Sequence, residues 1–305
     1  MNRVWAKRVG WSVSAALGWW ALKRLLPRRS PLADKAALVT GGSRGLGFQI
    51  ARELARRGCR VALLARDANE LQRAVRSLRN EGFEALPLVC DVADPKQVDR
   101  AVTEMVEHFG TIDVLVNDAG IIQVAPLDAL TRADFEQAMA INFWGTVNVT
   151  MAALRTMRQQ RAGRIANVTS IGGKVAVPHL LPYSCAKFAA VGFSEGLRAE
   201  LAGTGVKVTT VVPGLMRTRG EAHAMFKGKR ALERAWFSIA AETPGLSMSA
   251  RRAARRIVAA VERGQAEIVV GLPAKMLRLT KDLLPSATLA ALAAADRALP
   301  SAPRG

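Results

Sequence analysis

From Lys35 onward, short apolar runs alternate with longer stretches in which apolar residues recur every three or four positions. AALVT (36–40), RVALLA (60–65), EALPLVC (84–90), IDVLVN (112–117), the run 164–169, VKVTTVV (206–212) and AEIVVG (266–271) are mostly apolar and often β-branched. Such runs fit strands buried on both faces. The periodicity between them predicts helices over 45–57, 67–80, 95–109, 131–160, 182–202 and 249–263. Gly58 stops the first, and Asp67 with Glu70 three residues later opens the second in the spacing of a capping box. Alternation of strand and helix implies right-handed crossovers and one α/β domain, a doubly wound, seven-stranded parallel sheet covered on both faces. A basic stretch between about 215 and 248 shows neither pattern and reads as irregular.

Both ends of the chain depart from the alternation. Residues 1–31 form an apolar and basic leader, uncharged over the fourteen residues 9–22. As a helix that run is about 21 Å long, short of the about 30 Å of a bilayer core. Extended to 5–26, with Lys7 and Arg8 reaching the interface, it is long enough. Four of the six tryptophans (Trp5, Trp11, Trp19, Trp20) lie here between basic clusters, as suits the headgroup zone. Lys23 and Arg24 stand where a signal peptide would need small cleavage-site residues. The leader is therefore read as a membrane-associating helix, spanning or lying on the bilayer, with the domain at 32–271 on the cytoplasmic side. A helix packed on the protein's own body is the alternative. The Ala/Leu-rich tail, 272–305, suits a second interfacial helix, a cap on the domain, or a surface for a second copy.

Charge narrows the classes of function. The 44 Lys/Arg against 25 Asp/Glu give +19, which first suggests nucleic acid. No zinc-finger spacing, aromatic-interleaved basic stripe or recognition-helix signature accompanies it, and eight Lys/Arg gather in residues 1–35 against Asp34 alone. An anionic membrane surface suits that placement better, and no nucleic-acid partner is expected. Cys59, Cys90 and Cys185 have neither zinc nor disulfide spacing, and the three histidines are scattered, so no metal site is expected.

Two short stretches carry candidate chemistry. Thr40-Gly41-Gly42-Ser43-Arg44-Gly45-Leu46-Gly47 joins the first strand to the first helix in the spacing TGxxxGxG. A glycine-rich turn there lets backbone approach a pyrophosphate, and the helix start offers N–H groups and a positive dipole. The second stretch, PYSCAK (182–187), holds the single tyrosine of the chain. Tyr183 and Lys187 stand at i and i+4 and so project from one helix face. The ammonium is expected to lower the phenol's pKa from about 10 toward the working pH, for proton exchange with a carbonyl or alcohol oxygen. Cys185, between them, is read as a small packing residue.

In their order these motifs resemble those of the short-chain dehydrogenase/reductase family, classical type, over about residues 35–271. The resemblance implies a Rossmann fold and an NAD(P)-dependent enzyme acting on CH–OH groups. It puts the cofactor loop at Gly41, Ser43, Arg44, Gly45, Leu46 and Gly47, and the adenine contact at Asp91 and Val92. Asn117, Ala119 and Gly120 match its NNAG motif, in which Asp118 here replaces the second asparagine. Pro213-Gly214, with Thr218 beyond, matches the turn beside the nicotinamide. Asn142, Ser170, Tyr183 and Lys187 match its catalytic tetrad, Ser170 and Tyr183 being thirteen apart as in the family. By that match Tyr183 is the general acid/base and Ser170 holds the substrate oxygen. Lys187 also binds the nicotinamide ribose, and Asn142 positions a water that passes protons to it. Homodimers or homotetramers, the family's common states, are expected.

An NAD site wants a carboxylate at the end of the second strand for the ribose 2′-OH. Arg66 and Asp67 stand there, and Arg66 with Arg44 opposite would clamp a 2′-phosphate. NADP(H) is the expected cofactor, with Asp67 capping the next helix; NAD(H), with Asp67 on the ribose, is the alternative. Met216, Met225, Phe226, Trp236, Phe237 and Ile239 suit a lipid-like carbonyl or alcohol held by the segment 215–248. A membrane-associated NADP(H)-dependent carbonyl reductase or alcohol dehydrogenase is the leading reading. A soluble 3-oxoacyl-thioester ketoreductase is the second, and a non-catalytic NADP-binding scaffold or sensor comes from another class.

Overall fold

The apolar runs form strands β1 (Ala36–Thr40), β2 (Arg60–Ala65), β3 (Ala85–Val89), β4 (Val114–Asn117), β5 (Gly163–Val168), β6 (Val206–Pro213) and β7 (Glu267–Val270). They pair in parallel in the order β7-β6-β5-β4-β1-β2-β3. The structure is a computed structural model and describes residues 30–217, 224–243 and 245–300. The helix expected in the leader and Thr218 lie outside the described residues. Among those described, no helix is long and apolar enough to cross a membrane.

Side-chain alternation explains why the strands read as unbroken apolar runs. In β1, Ala37 and Val39 face one hydrophobic cluster while Ala36 and Leu38 face the other; Val61 and Leu63 alternate with Ala62 and Leu64 in β2. Helices α1 (Gly45–Arg56) and α2 (Ala68–Asn80) cover the first face, and α3 (Pro95–Phe109) covers part of the second. Burying each Leu or Ile side chain in such a core contributes about 1.5–3 kcal/mol. Asp94 and Asp67 start α3 and α2, each carboxylate accepting first-turn N–H groups.

The strand order reverses between β1 and β4, where Thr40 pairs with Asn117 at the carboxyl ends. A crevice at such a switch point is where open α/β sheets hold ligands.

Three regions differ from the sequence expectation. The helix expected over 131–160 is α4 (Arg132–Met139), a π-helical turn (Ala140–Trp144) and α5 (Gly145–Gln160). A single wide turn leaves the apolar periodicity on either side readable, so it escapes notice. After α6 (Leu181–Glu200), the stretch read as irregular contains α7 (Arg230–Glu242). Its inward residues are Glu233, Phe237 and Ala241, while Leu232 and Ile239 are exposed, so a charge inside and apolar residues outside hid the helix. Beyond α8 (Ala250–Arg263), the tail is two helices, α9 (Leu272–Leu283) and α10 (Pro285–Asp296). Pro285 disfavours helical backbone at Leu284 and breaks them. α9 leaves Leu272, Met276, Leu279 and Leu283 exposed at helical spacing.

Candidate active site

The glycine turn packs its backbone closely against the loop after β4. Thr40 ends β1 with its hydroxyl oxygen accepting the N–H groups of Asp118 and Ala119, each at 3.0 Å, which locks β1 to the loop after β4. Gly41 and Gly45 take φ values of +66° and +57°, left-handed conformations in which a side chain is strained. Gly47 is required for closeness: a Cβ there would lie 2.4 Å from the Gly41 carbonyl oxygen. Leu46 is buried beneath the turn. At the start of α1, Arg44 makes no side-chain cap and the first turn holds no acidic residue. A helix start of this kind fits the pyrophosphate of a dinucleotide. Gly120 keeps the floor bare, since a Cβ there would lie 2.6 Å from Asn142 Oδ1 and 3.7 Å from Lys187 Nζ.

Arg44 in the glycine turn and Arg66 just after β2 each face a carboxylate. Arg44 Nη1 reaches Glu70 Oε2 at 2.7 Å, where the Ser43 hydroxyl also donates at 2.9 Å. Arg66 Nη1 lies 3.8 Å from Asp91 Oδ2. Such exposed pairs contribute about 1 kcal/mol or less, so both guanidinium groups can turn to a phosphate. The Asp67 carboxylate accepts the Glu70 N–H at 2.9 Å, which holds its pKa below the usual value. It serves as a helix cap.

Asp91 accepts the Ala93 N–H at 3.0 Å, and buried Val92 packs against Gly145, where a Cβ would lie 2.5 Å from Val92 Cγ2. Pro213 closes β6, and Gly214 N–H donates to the Val270 carbonyl at 2.9 Å. Asn117 turns its side chain away from the glycine loop. Its Nδ2 donates to Thr150 Oγ1 and to Asn167 Oδ1, each at 2.9 Å. The line continues from Asn167 Nδ2 to Ser194 Oγ at 3.1 Å and from there to Thr210 Oγ1 at 2.8 Å.

Ser170, Tyr183, Lys187 and Asn142 gather at the carboxyl ends of β4 and β5. Asn142, carried on the π-helical turn, is fully buried and grips Ile121 twice: Oδ1 accepts its N–H at 3.0 Å and Nδ2 donates to its carbonyl at 3.1 Å. Ser170 follows β5, its hydroxyl oxygen accepting the Gly172 N–H at 3.0 Å. Tyr183 and Lys187 share one face of α6, with Nζ 5.8 Å from the phenol ring centroid. Lys187 is buried and donates to the Val168 carbonyl at 3.0 Å. Cys185 is exposed on the same helix rather than packed, because α6 turns that face to solvent.

Burial governs the ionisation of this group. It pushes the Tyr183 phenol up to about 12, helped by the Asp118 carboxylate and opposed by a hydrogen bond with Ser170. The expected lowering by Lys187 is not found: the ammonium donates to the Val168 carbonyl and pairs with the Asp118 charge, and burial sets the phenol's direction. Burial also pushes Lys187 down to about 8, with Asp118 holding it up. Asp118 rises to about 7 by burial, against the pull of Lys187 and of the Gly47 N–H that its carboxylate accepts. The phenol therefore carries its proton at neutral pH.

Against this site stands a small third hydrophobic cluster of Val124, Leu180, Phe226 and Phe237, with Tyr183 and Trp236 packed on it. Of the apolar residues expected to form a substrate wall, Met225 and Ile239 are exposed, and Met216 packs on the main core. Sequence reasoning missed two buried ionisable residues linked to this cluster through Trp236, namely His179 and Glu233. Only the α7 periodicity, once recognised, marks Glu233.

Residues 35–226 match the family model for short chain dehydrogenases. The chain belongs to that family, whose members exchange a CH–OH group and a carbonyl. A protein of Streptomyces violaceoruber described as a ketoacyl reductase of the granaticin polyketide synthase is 40% identical over 188 residues, covering 61% of this chain and 69% of its own length. The crystal structure of a gluconate 5-dehydrogenase from Burkholderia cenocepacia with NADP and tartrate is similar at a TM-score of 0.70 and 31% identity, covering 81% of this chain and 98% of that one. A single-substitution variant of actinorhodin polyketide ketoreductase with NADPH also has a TM-score of 0.70 and 31% identity, covering 80% and 97%.

Proposed function

We propose that the protein is an NADP(H)-dependent reductase of a hydrophobic ketone or aldehyde, with Tyr183 as its proton donor. The observation that carries this reading is the convergence of the Tyr183 and Ser170 hydroxyls on one point, beside the buried Lys187 and facing the apolar cluster. A bound reduced nicotinamide supplies the hydride. Tyr183 gives its phenolic proton to the carbonyl oxygen as the carbon is reduced, and Ser170 donates a hydrogen bond to that oxygen. A phenol held up to about 12 carries at neutral pH the proton that carbonyl reduction consumes. Lys187 supports the developing phenolate and reaches the nicotinamide ribose, while Asn142 fixes the loop beside it. Arg44 and Arg66 favour a cofactor with a 2′-phosphate, and the NADP and NADPH bound by the two similar structures support that choice.

Two further parts of the reading concern location and assembly. The Trp-rich leader supports attachment of residues 1–26 to a membrane, with the domain on the cytoplasmic side. Exposed Trp144, Met151 and Phe188 support a homodimer or homotetramer. A 3-oxoacyl-thioester substrate is the second reading, favoured by the ketoacyl reductase description of the Streptomyces violaceoruber relative. NADPH oxidation measured against lipid aldehydes, lipid ketones and 3-oxoacyl thioesters decides between them. Turnover of the free lipid carbonyls supports the first reading, turnover of thioesters alone the second, and NADPH binding with no turnover on any of them would sink both.

A further inference from the structure

Four residues before Tyr183, His179 adopts a left-handed backbone at φ +62°, one of only three non-glycine residues with positive φ among those described. That conformation costs about 1–2 kcal/mol for an ordinary L-residue, so its neighbours must hold it. Its carbonyl accepts the Ala125 N–H at 2.9 Å. Its ring is buried, with Nδ1 at 2.9 and 3.0 Å from the two carboxylate oxygens of Glu233. Glu233 has no exposed surface at all, and its Oε2 also accepts the Trp236 indole N–H at 2.7 Å. On the other side His179 Nε2 faces Asp296 Oδ1 of α10 at 3.6 Å.

A carboxylate taken wholly out of water is tolerated only when its oxygens are satisfied. Glu233 therefore binds α7 to the loop that leads into Tyr183. Trp236 and Phe237, on either side of that anchor's helix face, form the wall of the apolar cluster on which Tyr183 packs. The carboxylate is sealed behind this wall and cannot touch a substrate.

We propose that Glu233 is a positioning residue for the reaction: through His179 it seats α7, and with it the Trp236–Phe237 wall, at the spacing from Tyr183 that the substrate fills. The inference rests on reading Tyr183 as the reacting group, and goes beyond it by assigning substrate affinity to a residue outside the tetrad. Glu233→Ala leaves two buried donors without an acceptor. Glu233→Gln retains the shape, and its amide can satisfy both neighbours if His179 shifts its ring proton from Nδ1 to Nε2.

The experiment compares Glu233→Ala, Glu233→Gln and Trp236→Phe by substrate KM and kcat, by NADPH affinity, and by hydrogen exchange of the amides in 230–242. The substrate is the one with the highest turnover in the NADPH screen. The Ala variant is expected to raise KM about tenfold or more, with kcat within about threefold and NADPH affinity unchanged, and to speed exchange across 230–242. The Gln variant should restore most of both, and Trp236→Phe, losing one donor, should fall between. Unchanged KM and unchanged exchange would overturn the proposal, as would KM and NADPH affinity worsening together. If the Ala variant does not fold, the exchange rates of the Gln and Phe variants decide, and wild-type rates in both would overturn it. Failure of the underlying reading shows separately, as turnover retained in Tyr183→Phe.

Discussion

The Lys187 ammonium is held by the Val168 carbonyl 3.0 Å away, at the end of β5, and not by the Tyr183 hydroxyl. Burial, helped by the Asp118 carboxylate, leaves the phenol with a high proton affinity. Tyr183→Phe should lower kcat/KM by about 10²–10⁴-fold, the usual contribution of a positioned acid. NADPH affinity should stay within about twofold, since the ring and Lys187 remain. Stopped-flow turnover with a fluorescence binding titration checks both, and substantial residual turnover would exclude the phenol as donor.

Asp118 gives the fold a pH signature. Its carboxyl ionises near 3.8 when unfolded but holds its proton to about 7 in the folded chain. Between those values the folded state binds more protons than the unfolded, so this residue makes stability decline as pH rises from about 4 to about 7. Asp118→Asn, which places the family's own residue there, should flatten that decline. Urea midpoints across this pH range measure it; an unaltered slope would refute the buried-acid assignment.

Arg44 and Arg66 together should choose the cofactor. Replacing both by Ala removes charge-assisted contacts of about 1.5–3 kcal/mol each to a 2′-phosphate. NADPH affinity should fall by about a hundredfold or more while NADH affinity changes little. Calorimetric titration with each dinucleotide distinguishes this from equal weakening of both, which would place the arginines outside the phosphate site.

Asn142 is expected to matter to the fold as well as to turnover. Asn142→Ala leaves the Ile121 N–H and carbonyl without their buried partner, at about 1–3 kcal/mol for each group. The urea midpoint should fall accordingly, and turnover should fall with it because the loop floor at Gly120 loosens.

Much of this was legible in the residues. Strands buried on both faces announce themselves as apolar runs, and Pro95–Phe109 and 36–40 have the bounds read from the sequence. Asp67 was readable as a cap because it precedes a periodic segment. What stayed hidden depends on inversions and long-range contacts. α7 carries a charge inward at Glu233 and apolar residues outward, so periodicity alone points away from a helix. The Tyr183 pKa depends on how thoroughly the surrounding chain excludes water, which no i, i+4 spacing reveals. Asn117 sits in a cofactor motif, yet the alternation of β4 turns its amide to the opposite side of the sheet.

That amide has a consequence for how the sheet is assembled. Apart from a few polar positions, β4, β5 and β6 bury apolar residues on both faces, so sliding β5 by one residue would exchange one largely hydrocarbon environment for another. The line Thr150–Asn117–Asn167–Ser194–Thr210 discriminates strongly between the two alignments. Asn117 stands opposite Asn167, and Asn167 opposite Thr210, only in the native alignment. A slip would strand each polar group in hydrocarbon, at about 1–3 kcal/mol apiece. The polar line acts as a checksum on strand alignment, written in side chains that the chemistry never touches.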